Sequence, residues 1–257
     1  MDDKFIKNIE KKFSIEKEKV GQFLGKIRIA KKNWDVIYTD FLTLNEQEFL
    51  KILAFEEDVY ISFYIEDDFE RKMALISPIE CLEDFPIKAL KITGNFKFEK
   101  VDHRDYLGSI LGLGIKREKV GDINVYEDGA EILVHRDVAQ YILFNLIKVK
   151  HTGVKVLEID ISSIRKKSQN LKELNVNVSS LRFDAVLSGI FNISRTKSSS
   201  LIKSGDAKIN NIISTDSSTL VKSGQVITLR KYGKIKVGDV IATTKKERLV
   251  LSVYKYI

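Results

Sequence analysis

The chain has 257 residues, 44% of them hydrophobic and 31% charged, with 43 Lys and Arg against 36 Asp and Glu. That apolar content suffices for packed cores, and mixed charge with only two prolines excludes a wholly disordered chain. One cysteine, Cys81, and three scattered histidines exclude an internal disulfide and supply no paired spacing for a zinc site, so neither metal nor other cofactor is expected. The acidic start Met1-Asp2-Asp3-Lys4 and the lack of any membrane-length apolar run lead us to expect a soluble, cytoplasmic protein without membrane contact.

In chain order, Phe5, Ile9 and Phe13 recur at helical spacing, as do Val20, Phe23, Leu24 and Ile27. A third helix is announced by Thr43 and Glu46, which have the spacing of a capping box, with Phe49, Leu50, Ile52 and Leu53 behind it. Val59 to Ile65 alternates as a strand, Met73 to Ser77 reads as its partner, and Glu66-Asp67-Asp68 forms the turn between them. Residues 1–78 are therefore expected to be a small α+β unit.

From residue 79 to 161 the pattern is strand (Leu90, Ile92), helix (Tyr106 to Leu113), strand (Ile123 to Tyr126), strand (Glu131 to Val134), helix (Val138 to Lys148), strand (Val154 to Ile161). This βαββαβ order, with Asp128-Gly129 as a hairpin turn, predicts a ferredoxin-like domain. Residues 162–180 are polar and read as an extended connector. In 181–257, Leu181 to Gly189 and Ser194 to Ser204 read as helices, and Ala207 to Asn210 opens a series of strands. The class is α+β throughout.

Charge is unevenly placed: residues 181–257 hold 14 Lys and Arg against 5 Asp and Glu, an excess of +9, while the rest of the chain stands at −2. A cationic excess confined to one segment is the footprint of a nucleic-acid domain. Within it Ser194 stands where an N-cap belongs, so the N–H groups of the following turn, with Arg195 and Lys197, form an anion site. Gly205 stops that helix, and Arg182, Lys203 and Lys208 are expected to project around it, with Arg230 and Lys231 further along; Asp184 reads as structural, tying down a loop or an arginine. Most exposed lysines and arginines merely face solvent, and it is the local excess that argues otherwise here.

The run from Arg182-x-Asp184 through Ser194-Arg195 to Gly205 and Asn210 resembles the S-four domain, the RNA-binding domain found in the fourth protein of the small ribosomal subunit. The resemblance covers about residues 181–250 and implies binding of structured RNA by a helix pair.

A second block begins at His103-Arg104-Asp105, the tripeptide of a kinase catalytic loop. The asparagine needed five residues after the aspartate is Ile110, and no phosphate-covering glycine loop accompanies it, which rejects a kinase. Gly112, Gly114 and Gly121 follow a helix rather than opening one, so they are no dinucleotide fingerprint. They permit a turn beside which Lys116, Arg117 and Lys119 are expected to be displayed. With His103 and Arg104 these form a possible second contact to RNA or the ribosome.

This block, Phe41 to Leu44, Glu70-Arg71-Lys72 with Pro78, and the S-four-like segment together resemble the YlmH family of bacterial RNA-binding proteins over nearly the whole chain. One departure is Ile65-Glu66-Asp67-Asp68, where that family's pattern leads us to expect a glycine-rich turn. The resemblance implies association with ribosomal RNA, the large ribosomal subunit and tRNA or peptidyl-tRNA, in rescue or quality control of stalled translation; a monomer is expected. The competing class is an RNA-modifying enzyme, since S-four domains are often appended to pseudouridine synthases and Arg182-Phe183-Asp184 mimics the Arg-Leu-Asp of those enzymes. Here the tripeptide lies inside the binding segment itself, and no strand, glycine-rich turn and helix unit supports a methyltransferase, so no catalytic residue is expected.

Overall fold

The computed structural model describes residues 15–64, 69–96, 99–165 and 171–256, together with Ile6, Ile9, Glu10 and Phe13; Phe5 and the turn 65–68 lie outside them. The chain divides into two units, Met1–Lys167 and Ser168–Ile257. No helix among the described residues is long and apolar enough to cross a membrane.

In the first unit, α1 (Lys17–Asn33) turns Val20, Phe23, Ile27 and Ala30 onto one buried face. Helix α2 (Leu44–Glu56) starts in the predicted capping box: the Thr43 N–H donates to the Glu46 carboxylate at 2.6 Å, and Thr43 Oγ1 accepts from the Glu46 N–H at 3.4 Å. Strands β2 (Tyr60–Phe63) and β3 (Ala74–Ser77) pair antiparallel as expected, and β3 also pairs with β1 (Ile37–Tyr38), whose two residues are too few to show an alternation.

The second sheet carries β4 (Ile87–Gly94), β5 (Val120–Tyr126), β6 (Gly129–His135), β7 (Lys148–Val149) and β8 (Thr152–Ile159) in the order β5-β6-β4-β8-β7. Without the short β7, this is the split βαβ arrangement of the ferredoxin-like order. At the β5–β6 hairpin Gly129 has φ +147°, and a Cβ there would stand 1.9 Å from the Ile92 carbonyl oxygen, so the turn requires glycine. Helices α3 (His103–Leu111) and α4 (Arg136–Asn145) cover one face, Tyr106, Ile110, Ala139 and Ile142 packing with Leu90, Ile92, Ile132 and Val134. Helix α4 stops short of the expected Lys148, because Lys148 pairs with Gly153 in a hairpin that turns through Lys150 at φ 51°.

The opposite face is roofed by the N-terminal segment: Phe41, Phe69 and Met73 share a core with Ile87, Ala89 and Leu133. The Asp122 carboxylate fastens the two parts by accepting from the N–H groups of Glu70 at 2.5 Å and Arg71 at 3.1 Å. Residues 1–78 and 79–161, read as separate domains, thus bury apolar surface against each other.

The second unit is a sheet of order β11-β10-β12-β13-β14-β9 with two helices. Its strands are β9 (Leu171–Val178), β10 (Ala207–Ile209), β11 (Ile212–Ile213), β12 (Val226–Leu229), β13 (Gly233–Thr243) and β14 (Leu249–Tyr256). Strand β9 corrects the sequence reading, for residues 171–178 of the expected connector pair along the whole of β14, from Leu249 with Val178 to Tyr256 with Leu171. The signal that was available for it is the alternation of Leu174, Val176 and Val178 with Glu173, Asn175 and Asn177. Helices α5 (Phe183–Phe191) and α6 (Arg195–Lys203) contribute Phe183, Val186, Leu187 and Ile202 to the core.

Candidate nucleic-acid interface

Ser194 caps α6 as its sequence position predicts, Oγ accepting from the Lys197 N–H at 3.2 Å. Arg195 follows in the first turn with its side chain half exposed. The carboxylate that orients it is Asp184, in the first turn of α5, buried and accepting from Arg195 Nη2 at 2.9 Å, the Ala185 N–H at 2.8 Å and Arg182 Nε at 3.5 Å. One buried acid thereby holds two exposed guanidinium groups next to a helix N-terminus, where free N–H groups and the helix dipole favour an anion.

The row of cations continues through a residue the sequence analysis did not single out. Lys197 Nζ lies 5.7 Å from the centre of the Tyr232 ring, which itself stacks edge-on against Phe191. Tyr232 follows Arg230 and Lys231 in the β12–β13 turn, where Lys231 is exposed with φ 69°. Arg230 reaches Asp206 at 3.5 Å and its backbone N–H donates to the Asp206 carbonyl at 3.0 Å. An aromatic between basic residues in a turn was the available signal for Tyr232. Lys203 is exposed at the far end of α6, about 12 Å along the axis from Arg195. Lys208 lies half-buried on β10, and Gly205 takes the positive φ of 78° expected of a helix stop.

The second candidate group is divided by the structure. His103 and Arg104 form the exposed first turn of α3 behind the Asp102 cap, and Lys116 is exposed. Arg117 and Lys119 are corrected. The Arg117 guanidinium turns inward to the carbonyls of Val120 and Gly121, and burial, with Arg71 nearby, pulls its pKa down to about 10. Lys119 is taken by Asp40 at 2.8 Å and Asp137 at 3.5 Å. A run of basic residues in sequence does not reveal acceptors that arrive from elsewhere in the fold.

Comparison with known proteins adds three findings. A family model described as "Putative RNA-binding domain in YlmH" matches residues 81–163. The ribosome-associated protein quality control protein P2 of Bacillus subtilis (strain 168) is 32% identical over 239 residues, which cover 91% of this chain and 92% of that protein. The solved structure of the cell division protein ylmH from Streptococcus pneumoniae aligns with a TM-score of 0.49 at 23% identity, over 58% of this chain and 93% of that one.

Proposed function

This chain belongs to the YlmH family, and from that premise we propose that it is a non-catalytic RNA-binding factor of ribosome-associated quality control in the cytoplasm. Its C-terminal unit grips folded ribosomal RNA, and the complex it serves is a large ribosomal subunit holding peptidyl-tRNA. The observation that carries the reading is the arrangement at α6: Arg195 and Arg182 gathered by the buried Asp184 beside the helix N-terminus that Ser194 caps, in a unit with a large cationic excess. Double-helical RNA hides its base edges in a narrow groove, so phosphate contacts of this kind are how it is held.

Asp184 also bears on the enzyme alternative. A pseudouridine synthase needs its aspartate open to a nucleotide, whereas this carboxylate is buried and bonded to Arg195 and a backbone N–H, which favours binding over catalysis. Arg195→Ala should weaken binding to ribosomes or their RNA tenfold to a hundredfold, since a charge-assisted hydrogen bond contributes about 1.5–3 kcal/mol. Lys197→Ala should cost less, and Lys245→Ala, exposed and outside the site, far less. An Arg195→Ala protein that melts like the parent and binds as tightly at physiological salt would overturn the reading.

A further inference from the structure

The domain matched by the family model has two faces on which RNA could lie, and one is already occupied. In four-stranded folds of this order the usual platform is the sheet face opposite the helices, where aromatic side chains stack bases. Here Phe41, Phe69 and Met73 pack on Ala89 and Leu133 of that face. The only Phe, Tyr or Trp in β4, β5, β6 and β8 is Tyr126, and the Arg165 guanidinium covers its ring at 3.6 Å from the centroid. Arg165 is itself fixed by Glu131 at 2.8 Å and Asp128 at 3.0 Å, so the cover is anchored.

The helix side is different. Helix α3 and the turn between α4 and β7 enclose an open groove of about 530 Å³, with Arg104, Lys148 and Lys150 in its lining against one acid, Asp105. That acid is already held by Lys150 at 2.9 Å and by the Asp102 N–H at 2.8 Å. Clefts elsewhere in the unit, around Arg71, Cys81 and Tyr126, are lined by more acidic than basic side chains. Gly108 leaves α3 bare along the groove, with nothing within 4 Å of where its Cβ would be, so a phosphate backbone can approach closely. Ile147, in the same lining, and Phe144, three residues before it on α4, are 70% and 73% exposed. Cations that track a backbone beside exposed apolar side chains that take bases are the two components of unpaired-strand recognition.

We propose that this groove, with Arg104, Lys148 and Lys150 in its walls, Ile147 in its lining and the exposed Phe144 next to Asn145 of that lining, binds an unpaired stretch of RNA. Phosphates meet Arg104 and Lys148, while Lys150 stays on Asp105, and a base rests on the apolar side chains. The inference rests on the RNA-binding reading above and deepens it by naming a second site.

The test compares the full-length parent with Arg104→Ala/Lys148→Ala and with Phe144→Ser, binding deproteinised ribosomal RNA over a salt series. The double variant should bind about tenfold more weakly, with the slope of log affinity against log salt reduced by about 1.5, two phosphate contacts being lost. Phe144→Ser should lose about fivefold or more through lost stacking, with little change in slope. If both variants match the parent while Arg195→Ala loses affinity, the groove is not an RNA site although the protein still binds RNA. A parent without affinity for RNA would overturn the functional reading, and the groove with it. If Phe144→Ser weakened binding to intact ribosomal subunits but not to deproteinised RNA, the occupant would be a protein and the proposal wrong.

Discussion

At the scale of single residues, a carboxylate repeatedly determines what its basic neighbours can do. Asp184 keeps two arginines outward and usable, whereas Asp40 and Asp137 draw Lys119 away from any ligand. The sequence made the first pairing legible, because Arg182, Asp184 and Arg195 belong to one compact motif. The second was hidden, because Asp40 lies 79 positions before Lys119. His135 follows the same logic. Its Nδ1 accepts the Asp137 N–H at 3.1 Å and so caps α4, a bond available only while that nitrogen is unprotonated. Burial lowers its pKa below the ordinary 6.5, with Lys119 adding to the effect and the Asp137 carboxylate opposing it. The unfolded chain therefore takes up the proton first. The stability this group contributes is complete above about pH 6.5 and is lost as pH falls through that value toward the folded pKa. Melting temperatures recorded from pH 7 to pH 5 should drop more steeply for the parent than for His135→Asn, whose side-chain oxygen can still accept from Asp137. Parallel profiles would show that His135 is not the titrating group.

At the scale of elements, the helices were readable by their period and the central strands by short apolar runs bounded by turn residues. The Thr43–Glu46 box, the face of Val20, Phe23 and Ile27, and the apolar strands β4 and β6 all form where the sequence puts them. The misread elements are those stabilised from a distance. Strand β9 alternates only over its last six residues, in a stretch that is otherwise polar, and its partner lies more than seventy residues downstream, while β1 has only two residues. This affects how the C-terminal unit can be isolated. A fragment of residues 181–257 removes β9, exposes all eight positions of β14 as an open edge and uncovers the side of α5 where Gly189 lies against Val178, at 2.7 Å from an added Cβ to Val178 Cγ1. The fragment 168–257 keeps both. The longer fragment should melt cooperatively as a monomer, and the shorter one at lower temperature or as aggregates, as thermal denaturation and size-exclusion chromatography would show. Equal melting temperatures would mean that β9 is dispensable.

At the scale of the whole molecule, the boundary between the two units is also an electrostatic one. Residues 168–257 carry 15 Lys and Arg against 6 Asp and Glu, an excess of +9, and residues 1–167 stand at −2. A uniform cationic surface would make every part of the chain bind RNA with similar salt sensitivity, and this distribution requires that the parts differ. If Arg182, Arg195, Lys197, Arg230 and Lys231 each meet a phosphate, the C-terminal unit should show a slope of log affinity against log salt of about 4. The first unit, through Arg104 and Lys148 of its groove, should bind weakly with a slope of about 1.5. The full chain should bind more tightly than either and be the most salt-sensitive of the three. The RNA recovered from each mixture should be unchanged in mass, with or without a nucleotide or methyl donor, as expected of a factor that binds without reacting. Titrations of the three proteins against the same ribosomal RNA between low and physiological salt decide the matter. Were residues 1–167 to bind as tightly as the full chain at physiological salt, the C-terminal cations would not be the main RNA contact, and the function assigned to them would fall.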